Sequence, residues 1–244
     1  MDVSAVMILP PEGEPMKGVM SEAESQCDEV IIVRGRCRGI QRNEGIKRAK
    51  SPFVVMVDAD CLLTPNYVRK LRNQMDSRTG AVCGLHTPHP DLSFFSKLEE
   101  LCKTGVVLNM GYTGAHGTLY NREVVIEAGG FNTNPAILAD MGEKLILNMK
   151  GLGYSVKLVP QARNYHLHRS TPRSLVGTAL SCGTTEQAVL RLIGRFVISA
   201  VAGAIMLKKI RVATDRTCLL LPFYWSFRST VFVICGIVRR ICEK

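Results

Sequence analysis

Phe53-Val54-Val55-Met56-Val57-Asp58-Ala59-Asp60 is the stretch on which the fold turns. Its five leading apolar residues have the composition of a strand buried on both faces, and Ser51-Pro52 launches it. Two carboxylates follow at the carboxyl end, where open α/β sheets line their ligand crevice. Asp58 and Asp60 stand two apart, so in extended chain they point to one side and can share a divalent cation. Mg²⁺ or Mn²⁺ takes such oxygen ligands and bridges to substrate phosphates. An Asx-turn or a helix cap is the structural alternative for the pair. Thr64, with Pro65 at the first helical position, already offers a cap, which leaves the two aspartates without a structural task.

Outward from this strand, short apolar runs alternate with helix-like stretches, the pattern of a mostly parallel α/β sheet. Val3 to Leu9, Glu29 to Val33, Ala81 to Leu85, Gly117 to Tyr120 and Ser155 to Val159 read as further strands. Arg42 to Lys50, Pro65 to Gln74 and Met141 to Lys150 read as helices, the last closed by Gly151 or Gly153.

The charge is unevenly placed. The 244 residues carry 31 Lys plus Arg against 21 Asp plus Glu, a net +10. Residues 1–160 hold 18 basic and 18 acidic side chains, whereas residues 161–244 hold 13 and 3. A balanced globular part followed by a basic, apolar tail excludes a uniformly basic nucleic-acid binder, so no nucleic-acid partner is expected. Within the tail, Phe196 to Leu207 is an uninterrupted apolar run of 12 residues, about 18 Å as a helix. That is short of the ~30 Å hydrocarbon layer. Cys218 to Val238 is longer but carries Arg228 near its middle, and basic residues bracket both segments. Two spanning helices or helices lying in the cytoplasmic interface satisfy this pattern. Buried or dimerisation helices in a homo-oligomer are the alternative. The expected division is a domain over 1–173 and a membrane-associating region over 174–244. Nine scattered cysteines, without a CxxC pair or a secretory signal before them, suggest a reducing, cytosolic setting.

Gly39-Ile40-Gln41-Arg42-Asn43-Glu44-Gly45-Ile46, then Ala49-Lys50-Ser51-Pro52 and Val57-Asp58-Ala59-Asp60, resembles family 2 glycosyltransferases of the GT-A fold. Asn121-Arg122-Glu123 followed by Glu127-Ala128-Gly129-Gly130-Phe131-Asn132 is similar to that family's "RRE…E-x-GGFDE" segment. Asp140 with Leu145, Gly153-Tyr154 and Val159-Pro160 resembles its "ED…L…GY…VP". Asn164-Tyr165-His166-Leu167-His168-Arg169-Ser170 resembles its closing "YH-x-HRS". The matches keep their order over residues 3–170.

The resemblance implies a GT-A, nucleotide-diphospho-sugar transferase-like sheet flanked by helices, with a C-terminal apolar helical appendage. It implies metal-dependent, inverting transfer of a sugar from a nucleotide-sugar donor. Asp58 and Asp60 would hold Mn²⁺ or Mg²⁺ on the donor diphosphate, with His166 or His168 as a third ligand. Pro10, Arg34, Arg42, Asn43 and Ala59 would line the donor. Asp140 would be the general base, although it stands 13 residues before Gly153, about two more than in the family, and the strictly spaced position is Gly142. Glu143 is the other candidate, and loss of the base the third. At the nucleotide end Arg34-Gly35-Arg36-Cys37-Arg38 stands where the family has a carboxylate, and most of the helix between the first two strands is missing. Those arginines would grip a diphosphate or stay solvated. Phe131 would stack on a sugar ring, or anchor the core after a glycine helix cap. Tyr112, Thr113, Gly114, Ala115 and His116 would line the acceptor side.

The leading expectation is therefore a membrane-surface glycosyltransferase acting on a lipid-linked or glycan acceptor at the cytoplasmic face. A metal-dependent nucleotidyltransferase is the second enzyme reading, weakened by the acidic Pro10-Pro11-Glu12-Gly13-Glu14 after the first strand. A non-catalytic membrane-surface module with a decayed transferase fold is the third.

Overall fold

The strands predicted from apolar runs assemble around β1 (Val3–Leu9), every residue of which is buried. A computed structural model describes residues 2–113, 116–134, 142–167, 169–171, 173–174, 224 and 231. After β1 come α1 (Val19–Gln26), β2 (Glu29–Arg34), α2 (Arg38–Arg48), β3 (Phe53–Asp58) and β4 (Cys61–Leu63). Then follow α3 (Tyr67–Arg72), β5 (Thr79–Pro88), α4 (Phe94–Met110), β6 (Thr118–Asn121), α5 (Arg122–Glu127), α6 (Glu143–Gly151) and β7 (Ser155–His166). The sheet runs β2-β1-β3-β6-β5-β7-β4.

Alternation along the strands explains the layering. Val6 and Ile8 of β1 and Val54 and Met56 of β3 pack with Ile46 of α2, Val124 and Val125 of α5, and Leu145, Ile146 and Met149 of α6. Val3, Ala5 and Met7, with Val55 and Val57, pack on the other face with Val19 and Ala23 of α1 and Tyr67, Val68 and Leu71 of α3. A strand covered on both faces needs no polar alternation, which is why the runs read as continuous.

Three expectations are corrected. The sheet is parallel across β2-β1-β3. The β3–β6, β6–β5 and β4–β7 pairings are antiparallel, and a short apolar run carries no signal of its direction. Thr64 does not cap α3: its hydroxyl donates to the Arg163 carbonyl, and Asn66 in the left-handed region (φ 62°) precedes the helix instead. A helix does survive between the first two strands. It is the eight-residue α1, with Val19, Ala23 and Gln26 on its buried side.

The described chain forms two compact units. One is Met1–Thr87 with Met110–Leu167, and it contains both core clusters. The other is Pro88–Asn109 with His168–Lys244. In this second unit the Tyr224 hydroxyl donates to Glu99 of α4 at 2.6 Å, and the Ser96 hydroxyl donates to the Ser170 carbonyl at 3.1 Å. Most of the basic tail lies outside the described residues. Among the described residues no helix is long and apolar enough to cross a membrane.

Asp76, in the loop before β5, ties that loop to β7. It accepts from Lys157 Nζ at 2.7 Å, from the Thr79 hydroxyl at 2.7 Å and from the Arg78 N–H at 2.9 Å. These bonds, that of Lys157 foremost, hold its carboxyl down from the ordinary 3.8 to about 2. The stabilisation is therefore complete above 3.8 and is lost as pH falls through about 2. Asp76→Asn is expected to flatten the acid side of a melting-temperature profile in that window, read by circular dichroism.

Candidate active site

Strand register brings the site together. In the β3–β6 pairing Val55 faces Leu119, which brings the residues just before β6 alongside the end of β3. The Gly117 N–H donates to the Met56 carbonyl at 2.7 Å, one residue out of step with that pairing, at a glycine with φ +68°. In the β4–β7 pairing Cys61 faces His166, and the Leu167 N–H donates to the Asp60 carbonyl at 2.7 Å. So the turn after β3 passes directly into β4, and β4 delivers β7's terminal histidine to the aspartate. His166 Nε2 lies 3.4 Å from Asp60 Oδ2, and His116 Nδ1 lies 3.6 Å from Asp58 Oδ2.

Arg42, on α2, reaches the same edge from the helix side. Its guanidinium is 2% exposed, with Nη2 3.3 Å from Asp58 Oδ1 and the group 5.4 Å from the centre of the Phe131 ring. Its Nε is buried without a hydrogen-bond partner among the described residues. A buried guanidinium with an unused donor, beside the Asp58 carboxylate, is a ready partner for an anionic group.

Three positions expected on the donor side have structural partners. Asn43 holds the backbone of Phe131, accepting from its N–H at 2.8 Å and donating to its carbonyl at 2.9 Å. Phe131 itself is 3% exposed, edge-on to Tyr120 at 5.6 Å, so it is the core anchor rather than a sugar platform. Arg34 folds back on the loop after β1. It pairs with Glu14 at 2.8 Å and donates to the Pro11 and Gly13 carbonyls. Pro10 is exposed at the start of that loop, and the Ala59 carbonyl accepts from the Met16 N–H at 2.8 Å at its end. Arg36 and Arg38 are exposed.

Glu143 is exposed on the first turn of α6, close enough to Tyr112 that its charge, after burial, helps push the phenol up from its ordinary value. Asp140 and His168 lie outside the described residues, as do Gly114 and Ala115. His116, expected on the acceptor side, stands beside Asp58. His86 of β5, Asn164 of β7 and Tyr67 of α3 had no role in the sequence reading. They sit beneath the site in one hydrogen-bonded series.

The donor set can be tested against a divalent cation. Neighbouring ligands of an octahedral ion bound at 2.0–2.1 Å stand about 3 Å apart, and the two acid–imidazole separations are slightly wider than this. Carboxylate oxygen with imidazole nitrogen suits Mn²⁺. The chemistry fits, in the form of two pairs rather than a closed cage. No group of three such side chains among the described residues already stands ready to enclose an ion.

Residues 16–132, from the loop after β1 to just beyond Phe131, match the family described as glycosyl transferase family 2. Those residues carry a family 2 glycosyltransferase domain. Solved structures agree on its fold. A mannosyltransferase from Pyrobaculum calidifontis, in complex with GDP-Man and Mn²⁺, superposes with a TM-score of 0.61 at 14% identity, over 100% of this chain and 88% of that one. TarS of S. aureus gives 0.50 at 10% identity, over 98% of this chain and 55% of its own. Glucosyl-3-phosphoglycerate synthase from Mycobacterium tuberculosis, in complex with Mn²⁺, UDP and phosphoglyceric acid, gives 0.50 at 15% identity, over 73% and 74%. No curated protein matches the sequence. The transferase domain is thus of the GT-A type, and its Asp58–Asp60 turn lies inside the family match.

Proposed function

We propose that this transferase moves a sugar, with inversion, from a nucleotide-diphospho-sugar to a lipid-linked or glycan acceptor at the cytoplasmic face of a membrane. The observation that carries the donor half is the pair of acid–imidazole contacts at the carboxyl end of β3, Asp60 with His166 and Asp58 with His116. Asp58, Asp60 and His166 would hold a divalent cation, Mn²⁺ in the first instance, since the mannosyltransferase and the synthase that share the fold are both in complex with Mn²⁺. When bound, the cation neutralises charge on the departing nucleoside diphosphate. Arg42 places a second positive charge beside Asp58 and has an Nε–H to offer a phosphate oxygen. Asp140 or Glu143 would take the proton from the acceptor hydroxyl. The acceptor and the membrane face rest on the basic, apolar tail, with 13 basic and 3 acidic residues after position 160.

The test is thermal. Mn²⁺ with a nucleoside diphosphate at about 100 times its dissociation constant should stabilise the full chain by about 2.7 kcal/mol. For a protein of this size that is roughly 5–10 °C in melting temperature. No shift with any nucleoside diphosphate, with or without Mn²⁺, refutes the donor assignment.

A further inference from the structure

Three imidazoles from three strand ends stand in series at the site, and only His166 has been given a task. His116 occupies the middle. Its ring centre is 4.2 Å from that of His86, tilted 37°, and 5.0 Å from that of His166, stacked at 21°. Its side chain is only 12% exposed. It therefore touches an imidazole from the end of β7 and a carboxylate from the end of β3, one from each half of the proposed ligand set.

His116 is poorly placed to be a ligand itself. An imidazole nitrogen binds a cation in the plane of its ring, and two face-stacked rings near-parallel to one another share no in-plane point close to both. Nor is its contact with Asp58, at 3.6 Å, a hydrogen bond. What it presents is a flat face against the flat face of His166.

The backbone below makes that face rigid. The Tyr67 hydroxyl has one proton and donates it to the Gly117 carbonyl at 2.5 Å, so at 2.7 Å it accepts from Asn164 Nδ2. Asn164 Oδ1 is then the acceptor for His86 Nδ1 at 2.5 Å, which fixes the proton on that nitrogen. Tyr67 and Asn164 are fully buried, and His86 is 2% exposed. Gly117, next to His116, has φ +68°, and a Cβ there would meet Asn164 Nδ2 at 2.4 Å. The chain can thus pass this point only as glycine. The residue before it is clamped between β3 and the Tyr67–Asn164–His86 series.

We infer that His116 is a positioning residue for the cation site: its ring, backed by His86, holds the His166 imidazole in the orientation that presents Nε2 to the ion. This rests on the cation-site reading above. The supporting ring acts through a ligand, as partners behind metal-bound histidines do, and their loss costs about 10–100-fold in metal affinity.

The test is Mn²⁺ binding to the full chain by electron paramagnetic resonance, without turnover. His116→Leu and His116→Phe both fill the space and both lack Nδ1, but only Phe keeps a flat face. Leu is expected to weaken Mn²⁺ binding by about 10–100-fold and to diminish the ¹⁴N coupling of the bound ion. Phe is expected to retain most of both, and the metal-free melting temperatures confirm that each variant is folded. Equal Mn²⁺ affinity in the two variants, at any level, overturns the inference. His166→Gln and Asp60→Asn, measured alongside, separate the two ideas. If these bind Mn²⁺ as the unsubstituted protein does, the cation site is wrong. If they lose it while Leu and Phe behave alike, only the role of His116 fails.

Discussion

Asp60→Asn is expected to abolish the Mn²⁺-dependent rise in melting temperature while leaving the metal-free protein nearly as stable as before. The two effects separate because Asp60 does two jobs with different atoms. Its carbonyl accepts the Leu167 N–H and so fastens β7 beside β4, and asparagine keeps that bond. Its carboxylate, 28% exposed and 3.4 Å from His166 Nε2, supplies the negative charge a cation needs, and asparagine removes it. A ligand lost outright should cost more than the about 10–100-fold that accompanies loss of a supporting partner. Transfer from a nucleotide-sugar should fall with it. Asp58→Asn is the poorer experiment, because Asp58 also answers the buried Arg42 guanidinium. Weakening that pair leaves a desolvated charge and costs stability whether or not a cation binds. Calorimetric titration of Mn²⁺ with and without nucleoside diphosphate reads the Asp60 result. Undiminished binding would remove Asp60 from the site.

The contrast between the two aspartates shows what a sequence can and cannot disclose. That β3 is buried and ends in a carboxylate pair follows from five apolar residues and a spacing of two, both local properties. The family resemblance implies His166 or His168 beside the aspartates, and the register of β4 and β7 is the reason that His166 meets Asp60. His116 and His86 could not be found that way. His116 meets Asp58 because β6 lies beside β3, a relation between residues far apart in the chain. His86 is not legible because the apolar run of β5 ends at Leu85, whereas the strand continues to Pro88. Asn43 and Phe131 show the opposite failure. Both lie in motifs that suggest a ligand, and they are consumed in holding each other. The clamp becomes visible only when α2 and the Gly129-Gly130 turn are seen side by side. A signal was available for one of them: an aromatic residue straight after a two-glycine helix cap is a frequent core anchor.

Gly45→Ala is expected to destabilise the protein by about 1–3 kcal/mol, although alanine is the better helix former. Taken alone, the exchange inside α2 would gain about 1 kcal/mol of helix propensity. Packing opposes it. A Cβ on Gly45 would stand 2.2 Å from Val6 Cγ1 and 2.9 Å from Cγ2, where carbon atoms rest at about 3.5–4.0 Å. Val6 cannot turn away readily, because a β-branched side chain has few χ1 choices. Nor can it retreat with its strand. It is paired with Ile31 of β2 on one side and Met56 of β3 on the other, and it is 1% exposed. The helix must move instead, and α2 carries Arg42 to Asp58 and Asn43 to Phe131. The glycine of the motif is thus explained by the close approach of helix to sheet, and its loss should weaken nucleoside diphosphate binding as well as the fold. Val6→Ala in the Gly45→Ala background makes room for the added methyl. Thermal denaturation of the four proteins in that cycle should therefore show the double variant more stable than the two single costs combined predict. Simple additivity would mean that the two side chains do not meet.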